Sequence, residues 1–157
     1  MSKKLPIEVV HEVRDCCLCL ATQRAARRLA RRFDRAFAPL GLTNGQFSLM
    51  MSLNAPQAPT LGRLADALAM DRTTLTAALK SLERRGLVKT RLDEEDRRAR
   101  RLFLTGAGSD LLAAALPIWQ REHAALDVEL SQSEGQKLRK TLRKLGAETQ
   151  TEGKAKA

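Results

Sequence analysis

Residues 71–104 read DRTTLTAALKSLERRGLVKTRLDEEDRRARRLFL, and the hydrophobic period changes twice within them. Asp71 is a helix-capping residue for Arg72 to Arg85, where Leu75, Ala78, Leu79 and Leu82 recur at the three-to-four spacing of a buried helix face. Gly86 ends that helix as a C-terminal glycine. Leu87 to Leu92 is then apolar and β-compatible, Asp93 to Arg100 is a dense charged run, and Arg101 to Leu104 is again strand-like. This pattern predicts a β-hairpin with a highly charged tip.

Upstream, Thr60 caps Leu61 to Leu68, whose Leu61, Leu64, Ala65 and Leu68 point one way. A proline-containing loop, Asn54 to Pro59, separates it from a helix over Asn44 to Leu53. That helix opens on Thr43 with Gln46 three residues on, a capping box, and offers Phe47, Met50, Met51 and Leu53 to a core. Two short helices, a turn at Ala69 to Asp71, a third helix and a charged hairpin make a winged helix-turn-helix, an arrangement that offers one helix to the DNA major groove. With Leu75, Leu79 and Leu82 inward, rotation by about 100° per residue turns Thr73, Ala77, Lys80 and Arg84 outward, with Thr76 beside them. Threonine can bond bases or phosphates, arginine can pair bidentately with guanine, and lysine can neutralise a phosphate. At the hairpin tip, Asp96 is placed to hold an arginine by a charge-assisted hydrogen bond.

Outside this unit both flanks read as long helices. Ile7 to Ala38 contains no Pro or Gly, carries Leu18, Ala21, Ala25, Leu29, Phe33 and Phe37 at helical spacing, and meets Pro39. The spacing predicts one continuous helix whose other face bears Arg24, Arg27, Arg28, Arg31, Arg32 and Arg35. A helix of ~30 residues is about 45 Å long, more than so small a domain can cover, so its apolar stripe calls for a second chain. Thr105 opens another long helix with Leu112, Leu116, Trp119, His123, Leu126 and Leu130 alternating four and three apart, and Pro117 inside it predicts a kink. Ser131 with Glu134 forms a second capping box for a last helix carrying Leu138, Leu142 and Leu145 and stopping at Gly146. The expected fold is mainly α with a small β-hairpin wing. Its parts are an N-terminal dimerisation helix (1–40), the winged helix-turn-helix (41–105), C-terminal dimerisation helices (106–147) and a disordered tail (148–157).

Length and charge agree with that organisation. The chain has 157 residues, enough for one domain with a real core, and a net charge of +10 that favours a polyanionic partner. The basic excess is five over residues 1–40, four over 41–105 and one over 106–157. Three cysteines, all between positions 16 and 19, are too few and too clustered for a disulfide scaffold. No signal peptide or membrane span is expected, so the expected location is the cytoplasm.

The ordered set of motifs resembles the MarR family of bacterial transcriptional regulators. The resemblance rests on Leu42-Thr43-x-x-Gln46-Phe47, Leu64-Ala65-x-x-Leu68 and Asp71-Arg72-Thr73-Thr74-Leu75 through Leu82-Glu83-Arg84-Arg85-Gly86-Leu87-Val88. It rests further on Arg91-x-Asp93-x-x-Asp96-Arg97-Arg98 followed by Leu104-Thr105-x-x-Gly108. It implies a homodimer joined through its terminal helices, binding a pseudo-palindromic operator as a repressor and released by a small, often aromatic ligand in a crevice. By matching positions it implies recognition-helix contacts at Arg72, Thr73, Thr74 and Thr76 and wing contacts at Arg97 and Arg98; helix geometry adds Lys80 and Arg84. Phe33, Phe37, Phe47, Met51 and Trp119 are candidates to line the crevice, although their spacing equally suits a core.

Cys16, Cys17 and Cys19 carry three readings: packed small hydrophobes, a peroxide-sensing thiol, or a soft-metal or metalloid site. Hydroperoxide sensors of the family use a cysteine placed comparably to Cys19 together with tyrosines, and this chain has no tyrosine. No cofactor is required by any motif. An enzyme built on the cysteines and His11 lacks a phosphate loop, a carboxylate pair or metal-ligand spacing, and a sequence-indifferent basic nucleic-acid binder is the remaining alternative.

Overall fold

The computed structural model describes residues 4–93, 96 and 99–147. Seven helices and one hairpin follow in order: α1 (Ile7–Cys16), α2 (Leu18–Phe37), a 3-10 turn (Ala38–Leu40), α3 (Asn44–Leu53), α4 (Leu61–Leu68), α5 (Arg72–Arg84), β1 (Val88–Leu92), β2 (Arg100–Leu104), α6 (Gly106–Leu130) and α7 (Gln132–Gly146). The mainly helical fold with a two-stranded wing is as the periodicity predicts. Among the described residues no helix is long and apolar enough to cross a membrane.

The caps explain most of the boundaries. Thr43 accepts the Gln46 N–H while the Gln46 side chain takes the Thr43 N–H, a complete capping box. Thr60 accepts from the Arg63 N–H and Thr105 from the Gly108 N–H. Ser131 departs from the expected form: its Oγ accepts the Glu134 N–H, but the Glu134 carboxylate takes the Ser131 hydroxyl, 2.7 Å away, rather than a backbone N–H. α6 continues through Pro117 as one element.

One boundary corrects the sequence reading. The helix expected over Ile7 to Ala38 is broken at Cys17, whose ψ of 105° is extended and whose Sγ accepts the Leu20 N–H at 3.4 Å. The sulfur does there what a serine hydroxyl does at an N-cap, so the chain can restart a helix without Pro or Gly. α1 buries none of its residues, and Ile7, Val10 and Val13 stand about half exposed.

The core gathers Phe33 and Phe37 of α2, Phe47, Leu49, Met50 and Leu53 of α3, Leu64 of α4, Leu75, Leu79 and Leu82 of α5, and Leu112 and Ala115 of α6. Met51, read from the sequence as core, is instead 37% exposed. Arg32, read as part of the outer arginine face, turns toward α6 and pairs with Glu122 (3.0 Å) and Glu129 (2.7 Å). Those two carboxylates raise its pKa, Glu129 contributing most.

An aromatic row runs through this core: Phe47 stacks on Phe37 (4.8 Å), Phe37 leans on Phe33 (6.0 Å), Phe33 meets His123 (5.1 Å), and His123 meets Trp119 (4.2 Å). Burial lowers the pKa of His123, and Arg139 and Arg32 reinforce the shift against the opposing pull of Asp127. Because the folded imidazole resists a proton that the unfolded chain accepts near pH 6.5, stability is full above that pH and falls as the pH drops toward the folded pKa. We expect Tm to decline between neutral pH and pH 5, and His123→Gln to flatten the decline in thermal scans. An unchanged decline in the variant assigns it to carboxylates instead.

Candidate nucleic-acid interface

The recognition helix is built by its N-cap. Asp71 accepts the Thr74 N–H (2.8 Å) and the Thr74 hydroxyl (2.6 Å). Those bonds, the hydroxyl's first, hold the Asp71 carboxyl below the usual carboxylate range. The turn before it is tight: Ala69 sits in the left-handed region at φ 49°, and its N–H and that of Met70 satisfy the last carbonyls of α4. A Cβ on Gly62 of α4 would lie 3.4 Å from the Arg72 guanidinium, which places the tip of that side chain over the start of α4.

Leu75, Leu79 and Leu82 are at most 5% exposed, which turns Arg72, Thr73, Ala77, Lys80 and Arg84 to solvent on the other side of α5. Two of the threonines expected on that face are occupied within the helix. The Thr74 hydroxyl belongs to the cap, and the Thr76 hydroxyl donates to the Arg72 carbonyl (2.6 Å) from a half-buried position. Thr73, exposed, keeps its hydroxyl clear of intramolecular hydrogen bonds among the described residues.

The wing is a regular antiparallel pair with Val88 opposite Leu104 and Leu92 opposite Arg100. Its second strand is anchored from outside the hairpin: Thr60 bridges to Arg101, and the Leu102 N–H donates to the Pro59 carbonyl. Near the tip, Asp93 is 6% exposed and accepts from Arg101 Nε at 2.5 Å, while Arg101 Nη1 donates to the Ala58 carbonyl. Asp93 also accepts the Asp96 N–H, and the Asp96 carbonyl accepts the Ala99 N–H. The Asp93–Arg101 pair is an addition to the sequence expectation, which names Asp96 as the wing's supporting carboxylate. Alternation was the available signal: Arg101 faces Arg91 in the register, and Asp93, two residues on from Arg91, falls on the same side. Arg97 and Arg98 lie outside the described residues.

Three of the five residues offered for the crevice, Phe47, Met51 and Trp119, border one cleft. A cleft of about 420 Å³ is lined by Phe47, Ser48, Met51, Ser52, Leu68, Leu116 and Trp119. Phe33 and Phe37 do not reach it, because at 5% and 0% exposure they are core packing behind Phe47. Cys16 and Cys19 are exposed, Cys17 is half buried at the helix break, and Cys19 Sγ accepts from Gln23 at 3.7 Å. Among the described residues no group of three or more His, Cys, Asp or Glu is arranged to hold a metal ion.

An exposed polar and basic helix, presented by a helix-turn-helix and flanked by an anchored wing, defines a winged-helix DNA-binding transcriptional regulator. Residues 42–99 match the MarR family. The fold is similar to that of the M. tuberculosis transcriptional regulator MosR in complex with DNA, at 35% identity and a TM-score of 0.75, covering 83% of this chain and 93% of that one. It is also similar to the transcriptional repressor CouR bound to a 23-mer DNA duplex, at 29% identity and a TM-score of 0.77, covering 92% and 100%. In sequence it is 28% identical over 101 residues to the organic hydroperoxide resistance transcriptional regulator of Bacillus subtilis (strain 168), spanning 64% of this chain and 69% of that protein. The chain belongs to the MarR family.

Proposed function

We propose that this regulator is a homodimeric repressor that places α5 of each protomer in the major groove of a pseudo-palindromic operator. The observation that carries this reading is the solvent-facing side of α5, with Thr73, Lys80 and Arg84 exposed above a buried leucine row. Arg72 and Thr73 would address bases or phosphates at the helix N-terminus, Lys80 and Arg84 would follow the backbone, and Arg97 and Arg98 would reach out from the wing. Thr74 and Thr76 would act through their remaining acceptor capacity and their methyl groups. The terminal helices outside 41–105 would form the dimer. Leu138, Leu142 and Leu145 of α7 are 47%, 41% and 62% exposed in the protomer, a stripe that a second chain would cover.

Fluorescence anisotropy on DNA from the region upstream of its own gene tests the reading. Preference for that DNA over random sequence by about 10³ or more is the expected result. Lys80→Ala is expected to weaken binding to all sequences and reduce the slope of log K against log salt by about one unit. An unchanged slope removes Lys80 from the phosphate contacts.

Release of DNA has two candidate triggers. One is a small aromatic ligand in the cleft between Phe47, Met51 and Trp119; the other is modification of Cys16, Cys17 or Cys19, favoured by the Cys17 sulfur at the N-cap of α2. A group added to Cys17 Sγ would crowd the Leu20 N–H that the sulfur accepts, which would couple thiol chemistry to the first turn of α2. Release by a hydroperoxide, arsenite or copper(I) from the parent protein but not from a Cys16/Cys17/Cys19→Ser variant selects the second trigger. Indifference to all three selects the first.

A further inference from the structure

The recognition helix and wing leave a strongly charged surface of α2 unused. Arg24, Arg28, Arg31 and Arg35 stand at i, i+4, i+7 and i+11 of α2, all exposed, within an arc of about 60°. Arg27 flanks them and donates to Gln23. The stripe lies opposite Phe33 and Phe37, the buried anchors of α2, so it is directed away from the protomer core.

Pairing within the helix shows that this arrangement is specific to one face. Where a guanidinium turns toward α6, at Arg32, two carboxylates meet it. No carboxylate lies within ion-pairing distance of Arg24, Arg28, Arg31 or Arg35 among the described residues. The single acidic residue of α2, Asp34, is committed to the Asn44 N–H at 2.7 Å. Like charges three and four apart on a helix repel, so the stripe weakens α2 in the isolated protomer, and a polyanion laid along it relieves every one of those repulsions. α2 contains no lysine; each cation is the planar fork that takes a phosphate bidentately.

The dimensions and placement favour a nucleic-acid backbone. Eleven residues of helix span about 16 Å, over which one strand of duplex DNA carries about five phosphates. The Asp34–Asn44 bond ties the last turns of α2, beside Arg35, to the first turn of α3 in the helix-turn-helix. The stripe therefore starts at the DNA-reading unit and leads away from it. Once α5 is on a duplex, the same polymer supplies phosphates at high effective concentration.

We propose that the outer face of α2, through Arg24, Arg28, Arg31 and Arg35, is a second, sequence-indifferent surface for the phosphate backbone of DNA flanking the segment that α5 contacts.

The test compares the parent protein with Arg24/Arg28/Arg31/Arg35→Gln, since glutamine keeps helix propensity and removes the charge. Anisotropy is read across a salt series on a duplex of about 20 base pairs, the reach of two half-sites one helical turn apart, and on one about three times longer. On the long duplex the variant is expected to lose about three units of salt slope and at least ~10-fold in affinity at moderate salt. On the short duplex the two proteins are expected to agree within about one unit and to show the same sequence preference. A matched variant with Lys137, Lys140, Arg143 and Lys144 of α7 changed to Gln is expected to bind the long duplex like the parent.

Equal slopes for parent and Arg→Gln variant on the long duplex overturn the proposal. So does an equal loss on the short duplex, or the same loss in the α7 variant. Loss of the dimer or of helicity in the Arg→Gln variant, by sedimentation and circular dichroism, overturns it by making the stripe a structural contact. Binding to phosphatidylglycerol vesicles that the variant alone loses, with duplex binding intact, assigns the stripe to a lipid surface and also overturns it. Failure of the parent to prefer its upstream DNA on the short duplex bears on the repressor reading and not on the stripe.

Discussion

Gly108→Ala is expected to destabilise the folded protein by about 2–3 kcal/mol and to lower its Tm by about 5–10 °C, although alanine is the better helix former by about 1 kcal/mol. A Cβ on Gly108 would stand 2.1 Å from the Leu87 carbonyl oxygen and 3.0 Å from its carbon, and both are backbone. That carbonyl cannot swing aside, because it accepts the Thr105 N–H at 3.0 Å. Thr105 in turn donates its hydroxyl to the Gly86 carbonyl at 2.6 Å and accepts the Gly108 N–H at 3.0 Å. Four residues thus lock the first turn of α6 against the exit of α5, the joint between the DNA-reading unit and the C-terminal helices. A methyl group there must displace α6 or break the lock. Gly106→Ala is the control: the same helical turn, with nothing within 4 Å of the new Cβ, should be neutral or gain up to about 1 kcal/mol. Thermal unfolding of both variants decides the matter, and equal Tm values would show that the close approach at Gly108 has no energetic weight.

Arg101→Ala is expected to loosen the wing and weaken DNA binding at least ~10-fold while leaving the helices intact. The substitution leaves the Asp93 carboxylate, 6% exposed, without the guanidinium 2.5 Å away, and leaves the Ala58 carbonyl without its donor. Removing one partner of a buried pair costs about 3–5 kcal/mol; Arg101 is one-third exposed, so about 2 kcal/mol is the reasonable figure, confined to the hairpin. Amide exchange should quicken over 88–104, and mean residue ellipticity should hold. Removing both charges, as Asp93→Leu with Arg101→Met, should restore much of the lost stability because the buried carboxylate is removed together with its guanidinium. If the double variant were as unstable as Arg101→Ala, the deficit would lie in the Ala58 contact. If DNA affinity survived Arg101→Ala, wing geometry would play no part in binding.

The sequence by itself determined the element order, because each signal is local. Thr43, Thr60, Asp71 and Thr105 cap within three residues, Gly86 takes its positive φ at the end of α5, and the leucine period orients that helix without reference to any other. The outward face of the recognition helix was legible for the same reason. What only the tertiary structure decided are choices between chemically similar residues. The pairing of Arg101 with Asp93 is one, because strand alternation puts both on the same side of the hairpin. Phe47, Met51 and Trp119 line a cleft while Phe33 and Phe37, at equally helical spacing, fill the core, because α6 packs over one end of the aromatic row. The break at Cys17 escaped the sequence reading because a sulfur cap leaves no Pro, Gly or serine to announce it. Arg32 parted from its neighbours because Glu122 and Glu129 come from a helix some ninety residues away. Local periodicity states which way a side chain points; what it meets there depends on elements distant in sequence, and that is settled by packing.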